Sequence, residues 1–181
     1  MGVDWTGKDA QGLKLSESRL HATDLGGASM SRARLRNVVV EDGSWANAVA
    51  SDAAVHRVRF EGVRLTGANF SGSTIDNVTF VDCRMDLVSF RFAHMERVLF
   101  DRCQLVEADL YEASLSSAMF QTCDLSGVTL TGVAFDRSEM RGCDLSSAIG
   151  PQQLRGVRMP WVDVIRMARE LALAVGIKVL E

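Results

Sequence analysis

Residues 103–127 read CQLVE ADLYE ASLSS AMFQT CDLSG, five blocks of five, each with a small residue first and a large apolar residue third. The same beat extends outward in both directions, from Leu13 to Ala148. Its centres fall on every fifth residue from Leu15 to Leu145, and Ala68, Val78, Cys83, Val98 and Ala118 are among the small or β-branched residues two places before them. A period of five matches neither the 3.6 of an amphipathic helix nor the 2 of a simple strand. Fixed self-similarity of this kind marks a solenoid, in which stacked turns bury together what one turn cannot bury alone.

A second interval sets the size of a turn. Cys83, Cys103, Cys123 and Cys143 are twenty residues apart, and Phe60, Phe80, Phe100 and Phe120 repeat that step. If equivalent positions stack, one turn holds four blocks and has four sides. About seven coils follow, each rising about 4.8 Å if neighbouring turns pair like strands. Burying each Leu or Phe centre contributes roughly 1.5–3 kcal/mol. The only prolines, Pro151 and Pro160, lie beyond the repeats, as a backbone ladder requires of its N–H groups. Val39 to Asp52 departs most from the pattern, with Gly43 and Ala50 at core positions, so local distortion is expected there.

The blocks Ala68-Asn69-Phe70-Ser71-Gly72, Ala108-Asp109-Leu110-Tyr111-Glu112 and Cys123-Asp124-Leu125-Ser126-Gly127 resemble the pentapeptide-repeat family, whose units approximate A(D/N)LXX. The resemblance covers about three quarters of the chain. It implies an all-β solenoid, a right-handed quadrilateral β-helix, over residues 1–150.

After Ile149 the composition changes, and residues 151–181 read as a capping segment. Pro160 suits the start of a helix and Gly176 its end, which places a helix over about 160–175. Trp161, Val164, Ile165, Ala168, Leu171, Ala172 and Val175 form one apolar stripe, with Asp163, Arg166, Arg169 and Glu170 largely off it. Ile177 to Leu180 reads as a short strand. An open solenoid end invites aggregation, so a cap is expected. Val162, Met167 and Leu173 make the apolar surface wider than a cap needs. The tail also resembles that of MfpA-type quinolone-resistance proteins, which implies a homodimer through this segment.

No catalytic motif is present: there is no phosphate-binding glycine loop, no G-x-S-x-G and no H-E-x-x-H. His21, His56 and His94 fall on outward positions of different blocks, as solvated surface residues. Zinc sites gather ligands through short local spacings, whereas one cysteine per turn cannot wrap a tetrahedral ion. The thiols are expected to be small buried hydrophobes, in a reducing cytoplasm. No metal, cofactor or enzymatic activity is expected. The N-terminus has no secretory-signal pattern, and no apolar run approaches membrane-spanning length. With 181 residues, net charge -3 and pI near 5.6, the chain has no basic footprint for direct nucleic-acid binding.

What remains is the outer wall, whose charge is uneven. Residues 76–150 hold twelve acids against six bases, while residues 1–75 hold eight against nine. Asp101, Glu107, Asp109, Glu112, Asp124 and Asp136 are the candidate partner-binding acids, because recurring carboxylates on a rod can imitate DNA phosphate charge. Leu87, Phe92, Val106 and Tyr111 point outward nearby as a candidate apolar contact. The resemblance implies a non-enzymatic protein ligand of DNA gyrase or another topoisomerase, a DNA mimic. The alternative is a rigid scaffold or adaptor that binds an unrelated protein through the Phe92 and Tyr111 region.

Overall fold

The computed structural model describes residues 4–180. A parallel β-solenoid is followed by a short helical tail. β1 (Lys14–His21), β2 (Arg34–Glu41), β3 (Ala54–Glu61), β4 (Thr74–Val81) and β5 (His94–Asp101) each pair in parallel with the next, twenty residues on. In the next two coils the strand divides, into β6 (Ser114–Ser116) and β7 (Met119–Gln121), then β8 (Ala134–Asp136) and β9 (Glu139–Arg141). The wall therefore stands seven levels high, joined by six steps. Isolated bridges stack the other two sides in the same register, from Asp4↔Asp24 to Asp124↔Asp144.

Side one carries the centres Leu25 to Leu145 and side two Met30 to Leu130. Side three carries Leu35 to Phe135 and side four Val40 to Met140. Centres and the residues two before them fill one continuous core. Inside it the phenylalanines of side four stack face to face. Ring centroids are 5.0 Å apart for Phe60–Phe80 and Phe80–Phe100, and 4.7 Å for Phe100–Phe120.

The corners have a conformation that the pattern of residue types conceals. Every residue two places after a centre, from Gly7 to Ser147, has φ between 47° and 74°. On sides one and two this closes a turn: Ala28 N–H donates to Leu25 O at 3.0 Å, with Gly27 at φ 63°, the geometry of a type II turn. The D/N preference of the repeat has a local cause as well. The Asp or Asn before the centre accepts the N–H two residues on: Asn69 from Ser71 (2.9 Å), Asp109 from Tyr111 (2.9 Å) and Asp124 from Ser126 (3.0 Å).

Contrary to expectation, residues 39–52 keep the register, with bridges Asp24↔Ser44 and Val49↔Asn69 intact. Gly43 is the accommodation. A Cβ there would lie 2.5 Å from Thr23 O, so only glycine lets the backbones approach. Trp45 is fully buried, edge-on to Phe60 at 5.4 Å.

The tail differs from its expected form in three ways. A 3-10 helix, Pro151–Leu154, precedes it. The helix is divided at Met167 into α1 (Trp161–Arg166) and α2 (Ala168–Ala174). Ile177–Leu180 forms no strand, having no neighbouring edge to pair with. Gly176 does end the helix: at φ 82° it donates to Leu173 O, while Ile177 N–H reaches Ala172 O, a Schellman closure.

The docking face is also rotated from the expected stripe. Met167 and Asp163 are buried, with Val164, Leu171 and Ala172 half-buried, while Trp161, Ile165, Ala168 and Val175 face solvent. Asp163, which the pattern placed with the solvated residues, is 3% exposed. Its carboxylate accepts Gly142 N–H at 2.7 Å and Arg166 at 3.4 Å. In lower coils the equivalent N–H donates to the next floor, as Thr122 N–H does to Arg141 O. Asp163 thus takes the place of a missing coil. Asp163→Ala should destabilise the fold by about 1–3 kcal/mol through an orphaned donor, and Asp163→Asn should recover most of that in urea denaturation.

Candidate protein-binding surface

The six candidate acids do not form one strip. Asp101 lies on side four, Asp136 on side three and Asp124 on side one; Asp109 is on side two, and Glu107 and Glu112 occupy the corners that bound it. Half are neutralised locally: Asp101 by Arg102 (2.6 Å), Asp109 by Arg91 (2.7 Å) and Asp136 by Arg137 (2.9 Å). Asp109 and Asp124 also hold their own turns. Glu107, Glu112 and Asp124 have no Arg or Lys within salt-bridge distance among the described residues, and all three belong to sides one and two.

The four apolar candidates fall into two pairs, one at each corner of side two. Leu87 and Phe92 occupy the two corners of side two at one level, and the next coil places Val106 and Tyr111 beside them, since Leu87 N–H donates to Val106 O and Phe92 N–H to Tyr111 O, both at 2.9 Å. Phe92 meets Tyr111 edge-on at 5.6 Å. Arg91 joins them, a residue to which the repeat pattern gives no prominence. Its guanidinium lies 4.4 Å from the Tyr111 ring and 5.6 Å from that of Phe92, while holding Asp109. The Glu112 carboxylate beside Tyr111 raises its phenol above the usual range.

Leu87 is 57% and Phe92 47% exposed, at φ 57° and 58°. A left-handed backbone costs a side chain with a Cβ about 1–2 kcal/mol, and bulky residues are true outliers there. Nine of the corners are Gly, and no other corner holds a large apolar residue. Neither residue recovers its strain by burial; the repeating wall, which sets the same φ at every corner, over-determines it.

The histidines lie at the surface as expected, each beside a polar neighbour. His56 Nδ1 is 2.7 Å from Asp76, His21 Nδ1 3.8 Å from Asp42, and His94 Nδ1 2.7 Å from Ser114 Oγ. Stacking makes neighbours of residues twenty apart, which the linear sequence separates. His94 and Ser114 line an open groove of about 380 Å³ on side three, with Asp76, Glu96 and Asp136. The cysteines are buried as expected. The Cys123 thiol is pushed up to about 12 by the neighbouring Cys103 thiol and by burial.

Residues 53–130 match the family model described as "Pentapeptide repeat region", and residues 9–42 and 123–149 match "Pentapeptide repeats (8 copies)". No curated protein sequence matches the chain. Among solved structures, two trypsin-treated variants of QnrB1, a plasmid-mediated fluoroquinolone resistance protein, are similar. One has 18% identity and TM-score 0.55, covering 100% of both chains. The other has 16% identity and TM-score 0.52, covering 95% of this chain and 100% of that one. Full-length QnrB1 has 16% identity and TM-score 0.52 over 93% of this chain and 96% of that one. At these identities the likeness is one of fold.

Proposed function

Because the chain belongs to the pentapeptide-repeat family, we propose that it works without catalysis, as a rigid protein-binding rod whose partner is DNA gyrase or a related topoisomerase in the cytoplasm. The observation that carries a binding role is the pair of solvent-facing corner residues, Leu87 and Phe92, with Arg91 and Tyr111 packed at the Phe92 corner. Aromatic and arginine anchors of this type dominate interface energetics. Around them the unpaired carboxylates Glu107, Glu112 and Asp124 suit a basic groove built to hold phosphates, and steer its approach. On this reading, occupation of the groove would keep DNA away and confer quinolone protection. The partner is a protein rather than nucleic acid, since the chain carries net charge -3.

The second reading, an adaptor for an unrelated protein, is favoured by the apolar pair itself, which a pure phosphate mimic does not need. Two variants separate them. In Glu107→Lys/Glu112→Lys with Asp109→Asn/Asp124→Asn, the two Asn keep the turn bonds while the acid is lost. Gyrase supercoiling inhibition should fall at least tenfold, and inhibition by the unaltered protein should weaken as salt rises. Unchanged inhibition removes the mimic. In Phe92→Gly, relief of the left-handed strain should raise stability by roughly 1 kcal/mol while partner binding is lost. Retained binding would dismiss the patch.

We also infer a homodimer through the tail. Trp161, Val162, Ile165, Leu173 and Val175 are all exposed, and a second copy of the same tail offers the matching apolar surface.

A further inference from the structure

The four cysteines carry more than packing. Each Sγ–H sits between two equivalent carbonyls, one two residues earlier in its own coil and one twenty-three residues earlier, on the coil below. Cys83 donates to Phe60 O (3.6 Å) and Val81 O (3.3 Å), and Cys103 to Phe80 O (3.5 Å) and Asp101 O (3.4 Å). Cys123 donates to Phe100 O (3.4 Å) and Gln121 O (3.3 Å), and Cys143 to Phe120 O (3.6 Å) and Arg141 O (3.5 Å). Identical seating makes the sulfurs a file whose spacing is that of the coils, about 4.8 Å. On the scale of a zinc–thiolate bond, roughly 2.3 Å, two thiolate–metal bonds laid end to end span about 4.6 Å. A straight S–metal–S unit therefore bridges adjacent sulfurs with almost no movement of the wall.

We propose that neighbouring thiols of this file bind soft d10 cations that accept two-coordinate linear geometry, copper(I) or mercury(II), with two ions per chain. No three ligand side chains converge among the described residues, so four-coordinate zinc has no seat. Thiolate sulfur selects soft ions. Sulfur prefers a bent arrangement, so one sulfur does not serve two ions along a straight file, and four thiols take two ions. Charge closes in the same way. Mercury(II) breaks two S–H bonds and forms two Hg–S bonds, releasing two protons; copper(I) displaces one proton and is completed by the neighbouring thiol. Either unit is neutral, as a buried site requires. Neither step changes an oxidation state.

Entry is available at the top of the file. Cys143 is 6% exposed and opens on a cleft of about 380 Å³ between the last coil and the tail, lined also by Asp144, Ser146, Asp163, Arg166 and Met167. An ion captured there passes inward by exchange from sulfur to sulfur, and the protons leave by the same cleft.

The test uses the reduced full chain under anaerobic titration with copper(I), mercury(II) or zinc(II), reading sulfur-to-metal charge transfer, proton release and circular dichroism together. Cys→Ser variants should fold, because on side four Ser138 already occupies the same kind of seat, donating to Leu115 O (3.2 Å) and Asp136 O (3.1 Å). The unaltered chain should take two copper(I) or mercury(II) ions with its fold retained and no zinc. Cys83→Ser/Cys103→Ser keeps an adjacent pair that includes the entry thiol Cys143 and should bind one ion. Cys83→Ser/Cys123→Ser keeps Cys143 but leaves the two thiols on alternate floors and should bind none. Equal binding by the two double variants, zinc uptake, or uptake only as the fold is lost would overturn the site. Proton release separates the two ions, two per mercury(II) against one per copper(I).

Discussion

Phe100→Ala should destabilise the protein by about 4–5 kcal/mol, near the top of the range for a buried Phe, and lower its Tm by roughly 10–15 °C at this chain length. Phe100 is fully buried. It stacks on Phe80 at 5.0 Å and Phe120 at 4.7 Å, and meets Phe90 edge-on at 6.1 Å. In most cores part of such a cavity is filled by the collapse of its surroundings. Here the flanking rings are held on floors whose spacing is set by hydrogen bonds such as Arg102 N–H to Gln121 O, 2.9 Å, so the gap cannot close without breaking the ladder. Calorimetry would measure the shift, and a loss under about 2 kcal/mol would mean that the wall yields.

The second large effect concerns self-association. Trp161→Ser/Ile165→Ser should convert a dimer to a monomer while leaving the monomer's melting almost unchanged. Trp161 is 75% and Ile165 56% exposed; one turn apart on α1, they share a face, and neither supports the coil. Truncating two such anchors at an interface centre costs at least about 2 kcal/mol each, which raises the dissociation constant on the order of a thousandfold. Sedimentation equilibrium reads this directly. A monomeric parent protein at high micromolar concentration would end the dimer proposal.

The architecture is legible in the sequence because fives and twenties are one-dimensional signals: Phe60 to Phe120 and Cys83 to Cys143 announce the floors by their spacing alone. The corner conformation is not, because the position takes Gly, Asp and Asn but also Glu, Arg, Leu and Phe, and the repeating wall rather than residue type imposes its φ. Knowing that conformation turns Leu87 and Phe92 from ordinary exposed residues into costly ones. The helix face escapes an apolar pattern for a different reason. Hydrophobicity ranks Trp161 and Ile165 above Asp163, yet the coil end offers an unpaired Gly142 N–H, and a carboxylate satisfies it where no hydrocarbon can. Contacts such as His94 with Ser114, or Arg91 with Asp109, follow once the twenty-residue step is applied to polar residues as well as apolar ones.

Four equal sides also make azimuth a property that chain length can write. Duplicating twenty residues between Tyr111 and the tail would lengthen the rod and leave the Phe92 corner facing the same way relative to Trp161. Duplicating five would swing that corner through a quarter turn about the long axis with no side chain in either region altered. The angle between the two outward surfaces is therefore indexed in units of one repeat, and lineages of such rods can re-aim a partner by gaining or shedding a single block.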